Sequence, residues 1–150
     1  MNAIMAIPLA VTHEVRDTCL CLHVQRAARA LARRFDVALR PTGLTNGQFS
    51  LLIALNRPNP PAMAPVAALL AMDRTTLTAA LKPLERRGLL KVMPDPNDRR
   101  TRRLALTDAG RDLLREALPI WRATHRGLDQ DLADAPPDLR AALGVLARPS

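Results

Sequence analysis

The stretch Asp73 to Gly88 reads DRTTLTAALKPLERRG, and Asp95 to Gly110 reads DPNDRRTRRLALTDAG. In the first, Leu77, Ala80, Leu81 and Leu84 fall on one stripe of a helix that Asp73 is placed to cap, while Arg74, Thr75, Thr78 and Lys82 fall largely outside it. Gly88 can take the left-handed backbone that stops a helix. Leu89 to Met93 then reads as a short strand, Pro94 to Asp98 are turn formers, and Leu104 to Leu106 supplies a return strand. Arg99, Arg100, Arg102 and Arg103 thus cluster on a protruding hairpin, and Thr107 is placed to cap the helix that follows.

Working outward, apolar residues recur at Leu20, Val24, Ala27, Leu31, Phe35 and Ala38, which predicts one long helix over Asp17 to Leu39, capped by Asp17 or Thr18. Pro41 to Gly43 breaks it. Thr45 with Gln48 three residues on is a capping-box signature for a second helix through Phe49, Leu52, Ile53 and Leu55, ending before Pro58. Met63 to Ala71 is nearly all apolar and predicts a short, buried third helix. Downstream, Leu113, Leu114, Ala117, Leu118, Trp121 and Leu128 mark a long helix, and Pro136 to Leu146 a short last one. Pro83 and Pro119 each remove a backbone hydrogen bond, at about 3 kcal/mol unless a kink absorbs it. Kinks are expected, because a helix ending at Lys82 would strand Leu84.

Helix, helix, short helix, capped helix, basic hairpin and long helix is the order of a winged helix-turn-helix, in a fold that is mainly α with a small β-hairpin. Residues 45–106 form the DNA-binding region in this reading, residues 1–16 an N-terminal arm, and residues 17–44 and 107–150 the flanking helical region. A helix enters the major groove only if its exposed face is polar and not acidic. Arg74, Thr75, Thr76, Thr78 and Lys82 supply donors and small hydroxyls there. Arg99, Arg100 and Arg102 at the hairpin can enter a narrow minor groove, with Asp98 orienting Arg100 through a carboxylate–guanidinium bond.

Composition agrees with this reading. At 150 residues the chain is one domain's worth, and 48% apolar residues suffice for a packed core. A formal charge of +8 favours an anionic partner. Arginine supplies 20 of the 22 basic residues, which can reflect genomic base composition, so placement outweighs number. Only 2% of residues are aromatic and none is tyrosine, which disfavours stacking on single strands and leaves double-stranded DNA as the better partner. Cys19 and Cys21 are too few and too close for a disulfide framework and fit a reducing cytoplasm. The apolar start, Met1 to Val11, lacks a basic leader and no uncharged run approaches a membrane span, so neither export nor a membrane partner is expected. No glycine-rich phosphate loop or nucleophile–base pair suggests an enzyme, and no cofactor or metal is called for.

The two quoted stretches, with the capped helix, the Leu-Glu-Arg-Arg-Gly exit, the Asp-Arg-Arg hairpin and the Leu-Thr-x-x-Gly return in register, resemble the multiple antibiotic resistance regulator (MarR) family of bacterial transcription regulators. The resemblance extends over roughly Asp17 to Leu146. It implies a cytoplasmic homodimer built from the N- and C-terminal helices, binding a pseudo-palindromic operator as a repressor released by a small aromatic or phenolic effector. His23, Phe49 and Trp121 are the candidates to line the effector pocket, with core packing as the alternative role for the two large rings. Arg26 or Arg29 could neutralise an acidic ligand.

Cys21 sits where the organic hydroperoxide regulators of that family carry a reactive cysteine. Those proteins use tyrosine hydroxyls that this sequence lacks, and a buried structural thiol is the competing expectation. On a continuous helix, Cys19 and Cys21 would point apart and could not pair. Two other readings remain: a peroxide-sensing repressor acting through Cys21, and a non-specific or partner-binding winged-helix module.

Overall fold

The computed structural model describes residues 6–149. The chain divides between Arg34 and Phe35 into two compact units. Its elements are α1 (Leu9–Thr18), α2 (Leu20–Leu39), a 3-10 turn (Arg40–Thr42), α3 (Asn46–Ala54), α4 (Met63–Leu70), α5 (Arg74–Arg86), β1 (Leu90–Pro94), β2 (Arg102–Leu106), α6 (Asp108–Asp131) and α7 (Leu139–Leu146). None of these helices is long and apolar enough to cross a membrane.

The long first helix is in fact two. Thr18 donates its hydroxyl to the Glu14 carbonyl at 2.7 Å, and Cys19 then turns to extended backbone, ψ 106°. Back-bonding of this kind competes with the helical ladder and bends it. Asp17 and Thr18 therefore close α1 and do not cap α2, whose first bond runs from the His23 amide to the Cys19 carbonyl at 3.2 Å. Segment 1–16 is helical from Leu9, and its first five residues lie outside those described. No residue of α1 is buried, and of the whole of α2 only Leu39 is. Leu9, Val15, Leu20, Val24 and Leu31 are all exposed.

In the second unit, Thr45 and Gln48 form the anticipated capping box, with amide-to-side-chain distances of 3.2 and 3.1 Å. The core runs from Leu39 to Ala117, with Leu52, Leu77, Leu84 and Leu104 fully enclosed. Between α4 and α5, Ala71 adopts left-handed backbone (φ 52°), and the Met72 amide reaches back to the Ala67 carbonyl at 2.9 Å. This is a Schellman closure with alanine where glycine is usual, costing about 1 kcal/mol. α4 is not buried all round as its composition suggests: only Val66 is enclosed, and Leu69 is exposed. The helix is too short and too near the surface to cover both faces.

α5 continues through Pro83, which keeps Leu84 in the core, and α6 continues through Pro119. Gly88, at φ 72°, closes α5 by a second Schellman motif, the Leu89 amide bonding the Leu84 carbonyl at 3.0 Å. β1 and β2 pair antiparallel from Leu90↔Leu106 to Pro94↔Arg102, extending the hairpin beyond the strands read from sequence. The Leu104 amide bonds the Pro61 carbonyl at 2.9 Å, which tethers the hairpin to the segment before α4.

Candidate nucleic-acid interface

α5 presents its polar face because Leu77, Leu81 and Leu84 anchor the opposite one. Asp73 caps it, accepting from the Thr76 amide at 2.7 Å and the Thr76 hydroxyl at 2.9 Å. These two bonds hold the Asp73 carboxyl below the usual carboxylate range, so it stays ionised at neutral pH. Thr76 is thereby committed in part to its own cap, and Thr78 donates to the Arg74 carbonyl at 2.8 Å. Arg74, Thr75, Thr76, Thr78 and Lys82 are all exposed.

The wing is built around Asp95. Its carboxylate accepts from the Asn97 amide at 2.7 Å, the Asp98 amide at 3.2 Å and the Arg103 guanidinium at 2.6 Å. The Asn97 amide is the main reason its carboxyl lies below the usual range, with Arg103 next. Arg103 is thus occupied in shaping the hairpin, while Arg99, Arg100 and Arg102 remain exposed. Asp98 does not hold the Arg100 guanidinium. Its carboxylate accepts from the Arg100 amide at 2.9 Å and the Thr101 hydroxyl at 2.9 Å, because a side chain this short closes on the nearest backbone first.

Helix and wing are joined by Glu85, whose carboxylate accepts from the Val92 amide at 2.9 Å. A groove of about 340 Å³ runs between them, lined by Arg74, Thr78, Lys82, Glu85, Val92 and Arg102 among others. The structure therefore brings Arg74, Thr78, Lys82 and Arg102 together along one groove, which Thr75, Thr76, Asp98, Arg99 and Arg100 do not line. Thr107 fixes the far end of α5: its hydroxyl donates to the Gly88 carbonyl at 2.6 Å and accepts from the Gly110 amide at 3.0 Å. Arg87 ties the same region to the Gly43 carbonyl at 3.0 Å.

The Glu85–Val92 tether, the Asp95–Arg103 pair and the second role of Thr107 are not among the expectations drawn from residue types. An acid at the mouth of a hairpin facing a base on its return was the available signal for the pair.

Of the effector candidates, Phe49 is buried and stacks on Trp121 at a centroid distance of 6.1 Å and 21°. His125 completes the cluster, 4.9 Å from Trp121 and 6.1 Å from Phe35. Its Nδ1 lies 3.3 Å from Asp129, which also accepts from Arg140 at 3.1 Å. The Asp129 carboxyl is held below its usual range, first by Arg140 and then by His125. His23 lies on the exposed surface of α2, its Nδ1 2.7 Å from the Cys19 carbonyl.

Cys21 is exposed, against the expectation of a buried thiol, because nothing in its own unit covers α2 there. Gln25 donates its amide to the Cys21 sulfur at 3.1 Å. Cys19 stands at the break and not within a helix, so the two cysteines do not share one continuous helix. Among the described residues no group of three or more His, Cys, Asp or Glu could hold a metal ion.

Residues 44–101 match the model of the MarR family. The transcriptional repressor MprA of Escherichia coli (strain K12) is 33% identical over 108 residues, covering 71% of this chain and 60% of MprA, so the chain spans less than two thirds of that relative. The M. tuberculosis transcriptional regulator MosR in complex with DNA superposes with a TM-score of 0.73 at 38% identity, covering 86% of this chain and 93% of that one. CouR from Rhodococcus jostii RHA1 bound to p-coumaroyl-CoA superposes with a TM-score of 0.72 at 26% identity, covering 89% and 95%. Motif, groove and superposition agree: the chain belongs to the MarR family of winged-helix transcription regulators, a family of DNA-binding proteins and not of enzymes.

Proposed function

We propose that this chain is a cytoplasmic, homodimeric, ligand-responsive repressor that binds a pseudo-palindromic operator in double-stranded DNA. The observation that carries the reading is the shared groove of α5 and the wing, which places Arg74, Thr78, Lys82 and Arg102 together. Arg74, Thr75, Thr76, Thr78 and Lys82 face the major groove in this reading. Arg99, Arg100 and Arg102 reach phosphates and the neighbouring minor groove, and Asp98 shapes the turn that carries them. Residues 17–44 and 107–150 supply the dimer seam, with 1–16 as its leading arm and 45–106 as the reading head. Support for a dimer comes from the uncovered apolar residues of α1, α2 and α7. The effector is a small aromatic or phenolic compound, in keeping with the Phe49–Trp121–His125 ring cluster and with the p-coumaroyl-CoA held by CouR.

A salt titration with operator and scrambled duplex tests the reading. Operator affinity should exceed scrambled by at least about 10³-fold. Arg74→Ala should weaken the operator by about 10- to 100-fold and relax its sequence preference. Arg99→Ala with Arg100→Ala should weaken both duplexes and flatten the salt dependence by about one unit of slope for each phosphate no longer neutralised. Equal affinity for the two duplexes would instead leave a non-specific or partner-binding module.

A second reading adds peroxide sensing through Cys21, favoured by its exposure and by the Gln25 amide on its sulfur, a donor standing in for the missing tyrosines. Stoichiometric peroxide should then release the operator from the native chain and not from Cys21→Ser. Unchanged binding of the native chain rejects it.

A further inference from the structure

We propose that the ridge of α2 bearing His23, Arg26, Arg29 and Arg33 is a binding site for a phosphorylated small molecule of nucleotide size, carrying two separated phosphate groups. These four residues, with Ala27 and Ala30, line a groove of about 640 Å³, within the usual range of small-molecule sites. The alanines keep its floor low while the arginines rise beside them.

Arg26, Arg29 and Arg33 follow one another at three and four residues, a spacing at which like charges repel on a helix. Several other arginines are neutralised, Arg111 by Asp108 at 3.0 Å, Arg140 by Asp129 at 3.1 Å and Arg103 by Asp95 at 2.6 Å, whereas the wing arginines Arg99, Arg100 and Arg102 are not. Among the described residues no carboxylate pairs with Arg26, Arg29 or Arg33. An anion is the group that relieves this repulsion.

At 1.5 Å of rise per residue, Arg26 and Arg33 stand about 10 Å apart along the axis, more than one phosphate spans. Two phosphates on one scaffold fit that length, and the planar guanidinium fork matches each. The apolar residues Leu20, Val24 and Leu31 lie on the other side of the same helix, so a protein seated on them leaves the ridge open. An open groove along one helix face, with a small-residue floor, suits a ligand held by its charges, in contrast to the projecting arginines of the wing. None of this depends on the DNA-binding reading.

Calorimetric titration of the intact protein with adenosine 3′,5′-bisphosphate, with adenosine and orthophosphate as controls, tests the site. The bisphosphate should bind saturably, adenosine should not, and orthophosphate should bind at least tenfold more weakly. Arg29→Ala with Arg33→Ala should weaken the bisphosphate about tenfold or more, and the paired Lys substitutions should lose less, since the charge is kept. Both side chains are exposed, so circular dichroism and the thermal midpoint should not change. Arg99→Ala with Arg100→Ala should leave bisphosphate affinity unchanged.

Four results overturn the proposal: no saturable binding by the native chain; equal binding by the native chain and the Arg29, Arg33 variant; loss of bisphosphate binding on the wing substitutions; or a loss confined to duplex binding in the α2 variant, which would assign the ridge to the DNA backbone.

Discussion

Gly110→Ala should destabilise the fold by about 3 kcal/mol, although the same exchange inside a helix ordinarily stabilises by about 1 kcal/mol. The sign reverses because a Cβ at this position would fall well inside contact distance of the Leu89 carbonyl oxygen and press on the Leu106 side chain at 3.2 Å. Backbone on one side and a packed leucine on the other leave no flexible group to give way. The Thr107 hydroxyl holds the same approach closed from the Gly88 side, so α6 cannot simply shift outward. Urea unfolding checks it, through a midpoint lowered at constant slope. A midpoint at or above the native value would mean that α6 does not approach Leu89 this closely.

Val24→Glu with Leu31→Glu should convert the proposed dimer to a monomer at micromolar concentration and lower operator affinity by at least about 100-fold, because two half-sites would then no longer be engaged by one linked particle. The two residues are seven apart on one face of α2 and are 37% and 39% exposed. In the proposed dimer a second copy covers them, and a carboxylate there would be desolvated without a partner. The core lies between Leu39 and Ala117, so the winged region should keep its helical circular dichroism. Sedimentation velocity reads the assembly state. A double variant that stays dimeric would place the seam elsewhere.

The region from Thr45 to Thr107 was largely legible in the sequence because each element there is punctuated by its own chemistry: a capping box at Thr45 and Gln48, an aspartate cap at Asp73, a left-handed glycine at Gly88 and a threonine cap at Thr107. These signals are local, so periodicity and caps agree. The first helix was not legible in the same way. A run from Asp17 to Leu39 keeps its apolar period, and nothing in that period marks a single residue of extended backbone at Cys19. Ala71 was hidden for a related reason, since alanine is a strong helix former and only tertiary packing holds it at positive φ. At the interface, residue types showed which face was polar. The tether from Glu85 to Val92 and the closure of Asp95 on Arg103 span seven and eight residues across a turn, and such pairings follow from strand register, which the composition of neither strand specifies.

The threonine at the start of α6 links two helices end to end. α6 has 24 residues, hence a length of about 36 Å, and its cap Thr107 is bolted through one oxygen to Gly88, the residue that closes α5. A tilt of about 5° pivoted at its far end sweeps the bolted end by about 3 Å, comparable to one base-pair step of 3.4 Å. A long arm makes a lever: in the proposed complex, a molecule that displaced the distant half of α6 would shift where the recognition surface comes to rest along the duplex.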